Sequence, residues 1–212
     1  MNAPFLLFAV LPILIIAVMG DWDKITATCC GIAAAIASIA VEKTIGQEFA
    51  LHGFPLMGGL RAFLLFGFTE ELLKYASLTT ASCLTNKGRW AVQASIFCGV
   101  GFASIENFLY TSGFWHALGA TESFSALSLL RFFMPFMMHV AAGALLASGY
   151  CIRGFRPIGG LFLATAYHGT YDAMLGTSSQ AGITIAYLLI LGGFVTSAFI
   201  YRNASGSKTE GS

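Results

Sequence analysis

Charge is what this sequence has least of. Asp, Glu, Lys and Arg make up 10% of its 212 residues against 57% hydrophobic, and the mean hydropathy is +0.76. Soluble domains carry about a quarter charged residues, so that class is excluded and a membrane protein is indicated. Eleven basic and ten acidic residues sum to +1 with no long basic run, which excludes a nucleic-acid footprint and leaves the lipid bilayer as the expected environment. No CxxC pair occurs among the five cysteines at 29, 30, 83, 98 and 151. Neither a disulfide framework nor a thiolate zinc site is therefore implied, and the cysteines read as small core residues. No HExxH occurs anywhere in the chain. No Lys or Arg precedes Lys24, so the first apolar run lacks the basic start of a signal peptide and is expected to be retained.

What the sequence does have is apolar length. A spanning helix needs about 20 mainly apolar residues, and breaks at polar or Gly/Pro-rich points divide the chain into seven such segments. They cover about 3–20, 25–41, 59–84 and 90–111, then a fifth that follows a polar stretch at 120–125 and reaches 150, then 157–176 and 181–201. The expected fold is all-α, a polytopic bundle of about seven transmembrane helices forming one domain over 1–202. A polar tail at 203–212 has no apolar face to bury and is expected to be disordered. Lys24, Lys87 with Arg89, Arg153 with Arg156, and Arg202 with Lys208 all fall on one side of this arrangement, leaving only Lys43 and Arg61 on the other. Basic residues stay cytoplasmic, so the N-terminus is expected outside and the C-terminus and tail inside.

Against this background a few ionisable residues stand out. Each costs about 2.5–3.5 kcal/mol at the centre of a spanning helix, so it faces a protein interior or water and marks function. The third segment carries "FTEELLKYASL", in which Lys74 is four residues from Glu70 and three from Glu71 and can pair with either on the helix surface. One pair leaves one carboxylate over. The fourth carries "GVGFASIENFLY", with Glu106 beside Asn107 and Tyr110 one turn on; Gly99 and Gly101 read as points of close helix packing. The fifth buries His139 four residues after Pro135, which frees a backbone carbonyl near that depth. The sixth, "YHGTYDAML", sets His168 and Asp172 four apart on one face, where the carboxylate can fix the imidazole tautomer. Arg131, at the end of the fifth segment, reads as snorkelling to the interface, and His52 and His116 lie in connections without a role.

At 1.5 Å per residue, Glu71 and His139 fall roughly 20 Å from the outer ends of their helices, His168 about 12 Å, and Glu106 and Asp172 under about 10 Å. Helix tilt permits these groups to converge in the outer half of the membrane. Two adjacent glutamates, a third glutamate, two histidines and an aspartate are the parts of a hydrolytic site: a carboxylate takes a proton from water, imidazoles donate to the developing oxyanion, and the acid returns the proton to the leaving amine. Acyl-enzyme chemistry fits less well, because Ser77 and Ser104 sit in no nucleophile motif and Cys98 has no evident base. Glu106, His139 and His168 form a two-histidine, one-carboxylate set able to hold a single zinc ion, and spacing leaves open whether the site uses one or no cofactor at all.

Glu70-Glu71-x-x-Lys74, Phe102-x-x-x-Glu106-Asn107, His139 and His168-x-x-x-Asp172, in that order on successive segments, resemble the PrsW family of intramembrane proteases. The likeness covers about 61–176 and extends to the CAAX-processing prenyl endopeptidases and the gamma-secretase scaffold subunit. It implies a glutamate-dependent endopeptidase of the cell membrane (the inner membrane in a bacterium) that cuts membrane-anchored substrates such as an anti-sigma factor near the outer face. It also implies Glu70 as general base, His139 holding the water, Glu71 positioning or sharing the proton, and His168 polarising the scissile carbonyl. Asp172 stands where the prenyl endopeptidases often have Asn and is expected to orient His168. Pro135 departs from the family's FxxxH pattern. Two other readings use the same buried groups. A proton-coupled transporter needs a polar path through the membrane, yet 90–98 and 157–166 contain no Asp, Glu, His, Lys or Arg. A non-catalytic scaffold or chaperone has little need of a double glutamate.

Overall fold

A computed structural model describes residues 3–18, 20–51, 62–84, 88–111, 126–151, 156–177 and 179–204. Among them are seven α-helices and no strand: α1 (Ala3–Val18), α2 (Trp22–Leu51), α3 (Thr69–Thr80), α4 (Arg89–Thr111), α5 (Ala126–Cys151), α6 (Pro157–Gly176) and α7 (Gln180–Asn203), with a π-helical segment (Ala62–Phe68) running directly into α3. The expected roles of Arg61, Lys87, Arg153 and Lys208 in orientation lie outside the described residues. So do the polar stretch 120–125, His52, His116, the tail from 205 onward, and the side chains of Tyr110 and Arg131.

Helix ends differ from the sequence reading in two places that matter. The second segment, expected to stop at 41, continues as helix to Leu51, because Glu42 and Lys43 are polar without being helix breakers. The third, expected as one span over 59–84, is a seven-residue π turn followed by only twelve α-helical residues.

This is a multi-pass membrane protein. Trp22–Ile45, Arg89–Leu109, Phe133–Cys151 and Gln180–Asn203 are long and apolar enough to cross a bilayer. The helices α1 and α3 are shorter, at 16 and 12 residues, and α6 gives up hydropathy to His168, Thr170 and Asp172. Large apolar side chains are exposed in helical register, as with Leu188, Leu191, Val195 and Phe199 on α7 and Ile158 and Phe162 on α6, which is the pattern a lipid-facing stripe requires.

Burial inside the bundle mixes a few large side chains, such as Tyr171, Phe102 and Leu78, with many small ones. Ala91, Ala94, Cys98, Ala141, Ala144 and Ala164 are fully buried, because without a hydrophobic force between helices in lipid, close backbone approach supplies the packing. The helix α4 lies between α2 and α5, α5 also meets α6 and α7, and the π segment packs on α6. Gly99 is the point of contact between α4 and α5: a side chain there would run into the backbone carbonyl of His139. Gly67 and Gly169 bring the π segment onto α6, where a methyl on Gly67 would lie 2.7 Å from the Gly169 nitrogen. These contacts set the height at which Glu70, His139 and His168 face one another.

Candidate active site

Four elements, α3 to α6, deliver the expected ionisable residues to one place. Thr69–Thr80 carries Glu70 and Glu71 in its first turn, directly after the π segment. One helical turn carries the chain from there to Lys74. Glu70, Glu71, Lys74, His139 and His168 are all buried, Glu71 and His139 at 0% exposure. Each is too costly to bury alone and must be satisfied by the others.

Lys74 chooses between its two carboxylates. Its Nζ donates to Glu71 Oε1 at 2.7 Å and stands 3.9 Å from Glu70 Oε2. Glu71 Oε1 is also 2.8 Å from His168 Nδ1, so this oxygen joins α3 to α6. The carboxylate left over is therefore that of Glu70. Its Oε2 lies 3.7 Å from His168 Nε2, 3.9 Å from Lys74 Nζ and 4.0 Å from His139 Nδ1, and it is buried with no hydrogen-bond partner. A buried acceptor of this kind costs about 1–3 kcal/mol, and its spacing from three nitrogens is what one bridging atom would span.

The imidazoles are held from behind. His139 places Nε2 2.6 Å from Glu106 Oε2, Nδ1 2.9 Å from Lys74 Nζ, and its ring 4.8 Å from that of Phe102. With the ammonium donating to Nδ1, the Nε2–H of His139 donates to Glu106. His168 turns Nε2 toward Asp172 Oδ2 at 3.3 Å and meets the His139 ring edge-on at 5.0 Å. Each histidine thus turns one nitrogen toward Glu70, His139 Nδ1 and His168 Nε2, and has a carboxylate on its other, Glu106 and Glu71 respectively, the outer-shell arrangement that fixes tautomer and ring orientation around a metal, while Asp172 shares the Nε2 side of His168.

A PrsW family intramembrane metalloprotease model matches residues 22–199. The chain belongs to the PrsW family. No curated protein and no solved structure matches it. Membership makes it a membrane protease by family, and the metal in the family's description can be tested against the residues present. Among the described residues, Glu70, His139 and His168 are the group whose ligand atoms come within 4.8 Å of one another. Two imidazoles, one carboxylate with an unsatisfied oxygen, and a carboxylate behind each histidine fit a divalent ion. The carboxylate differs from the expected set of Glu106, His139 and His168. The Gly67–Gly169 contact draws Glu70 in between the imidazoles, while Glu106 engages the other nitrogen of His139.

All six residues expected at the PrsW site, Glu70, Glu71, Glu106, His139, His168 and Asp172, take part in this one network, with Lys74 at its centre; Asn107 is buried on α4. One participant was not anticipated. Glu42 of α2 interacts with Glu70, Glu106, His168 and Asp172, and its Oε1 is buried without a hydrogen-bond partner. A buried carboxylate in a spanning helix is itself a signal of function. Ending the second segment at 41 left Glu42 in a connection and hid it.

Proposed function

We propose that this PrsW-family protein is an endopeptidase that hydrolyses membrane-anchored protein substrates, anti-sigma factors among them, with water activated by a glutamate. The observation that carries this reading is the unpartnered Glu70 oxygen held 3.7–4.0 Å from two imidazole nitrogens and an ammonium. Glu70 takes a proton from water as the hydroxide adds to the scissile carbonyl carbon. His168, oriented by Asp172 and Glu71, polarises the carbonyl oxygen, and His139, backed by Glu106, holds the water once Lys74 gives up its Nδ1. The Glu70 acid then gives its proton to the amine as the C–N bond breaks. Glu70, His139 and His168 would hold a divalent ion such as zinc, which supplies Lewis acidity toward water and carbonyl when bound.

The single helical domain is proposed to span the cell membrane seven times, N-terminus outside, with a disordered cytoplasmic tail. In support, cationic residues stand at helix ends of one expected side: Lys24 at the start of α2, Arg89 at the start of α4, 5.3 Å from the Tyr201 ring, and Arg202 in the last turn of α7. Glu42, Glu106 and Asp172 lie toward the opposite ends of their helices, which supports chemistry in the outer half.

The test is cleavage of a single-span reporter in liposomes by the wild type and by Glu70→Gln and His139→Ala. The wild type should cut and both variants should not; cleavage at equal rates removes the assignment. Loss of cleavage on chelation with return on zinc addition distinguishes a metal-assisted from a metal-free route.

A further inference from the structure

Lys74 already holds the nitrogen that a metal ion would need. Its Nζ lies 2.9 Å from His139 Nδ1, 2.7 Å from Glu71 Oε1 and 3.9 Å from Glu70 Oε2, over the Phe102 ring at 4.0 Å, with its side chain 1% exposed. The other nitrogen of His139 is engaged by Glu106, so Nδ1 supplies the lone pair facing Glu70. One lone pair cannot both accept from an ammonium and bind a metal. Two cations at such separations in a dry interior also repel strongly.

We propose that the Lys74 ammonium is a built-in competitor of the metal ion: it fills the cation position when the site is metal-free, and a divalent ion enters only as Lys74 releases His139 Nδ1. This rests on Glu70, His139 and His168 being the metal group. The exchange is a local one. The contact with Glu71 is independent of Nδ1, and a flexible four-carbon stem lets the ammonium pivot about that carboxylate.

The experiment is zinc binding to the purified full-length protein in detergent, measured by competition with a chromophoric chelator, with cobalt absorption reporting coordination. Lys74→Met should bind zinc roughly 10- to 100-fold more tightly than wild type, the equilibrium equivalent of one charge-assisted hydrogen bond. Lys74→Arg should stay near wild type, because it keeps the charge and the donors. Adding His139→Ala to Lys74→Met should abolish the gain. Lys74→Met leaves Glu71 without its cation, so the paired variant Lys74→Met/Glu71→Gln, which removes both charges, is measured alongside. Unchanged or weaker zinc binding in the folded Lys74→Met or paired variant, a gain that survives His139→Ala, or no zinc binding by any form overturns the competition. Reporter cleavage is read separately. Intact wild-type cleavage with no effect of Lys74 on zinc removes this inference alone, whereas tighter zinc binding in a protein that cuts no substrate removes the protease reading and leaves the competition standing.

Discussion

Glu71 Oε1 lies 2.8 Å from His168 Nδ1, tying the first turn of α3 to the middle of α6 across 97 residues of chain. Because the same oxygen accepts from Lys74 at 2.7 Å, Glu71 is a structural anchor as well as part of the site.

Glu71→Ala should therefore cost more stability than Glu70→Ala. Removing Glu71 leaves Lys74 as a buried charge without its close partner, a loss of about 3–5 kcal/mol. Glu70 makes no direct hydrogen bond through Oε2, so its loss should abolish cleavage while leaving the fold. Thermal unfolding in detergent, measured beside reporter cleavage, separates the two; a Glu70 variant less stable than the Glu71 variant contradicts the division of roles.

On the proposed mechanism Glu106 acts through His139, whose Nε2 it engages at 2.6 Å. Glu106→Ala should lower kcat about 10- to 100-fold, the usual range for losing the partner of a site histidine, with KM little changed. Glu106→Gln keeps an acceptor for Nε2–H and should lie between Glu106→Ala and wild type. Steady-state kinetics on the reporter decide it, and an effect confined to KM would place Glu106 in substrate binding instead.

Glu42 sits among other carboxylates. Glu42→Gln relieves like-charge repulsion and should raise stability by about 0.5–2 kcal/mol while lowering activity, the trade-off expected where function keeps a strained group. Full activity together with lower stability would make Glu42 an ordinary structural residue.

The hydroxyls of the two candidate serines, Ser77 and Ser104, are engaged on their own helices. Ser77 Oγ donates to Lys74 O at 2.9 Å and Ser104 Oγ to Val100 O at 2.8 Å. Ser77→Ala and Ser104→Ala should cleave within about twofold of wild type, since substitutions away from key contacts stay within about 0.5 kcal/mol. Loss of cleavage in either would reopen acyl-enzyme chemistry.

Gly99→Val should disrupt the α4–α5 contact and cost at least about 1–3 kcal/mol, as overpacking does. Gly192→Ala, where no atom lies within 4 Å of the added methyl, should be neutral. Comparing their melting temperatures and folded yields checks that the glycine contact, and not helix propensity, sets the spacing at His139.

The sequence alone determined the membrane setting, the helical class and the identity of most residues of the buried polar network. Charge and imidazole are so costly in a lipid-buried helix that their mere presence at Glu70, Glu71, Lys74, Glu106, His139, His168 and Asp172 marks them. The family resemblance rested on the same residues. Tertiary structure decided which partner each one takes. Helical spacing let Lys74 reach either glutamate, and only the packing of α6 against the π segment, through Gly67 and Gly169, commits Glu71 to Lys74 and His168 and leaves Glu70 between the imidazoles. Packing of α2 against α3 and α4 brings Glu42 from a helix with no motif into the network. Periodicity fixes contacts within a helix. Contacts between helices depend on where backbones can approach, and that is settled by small residues whose partners lie far away in the chain.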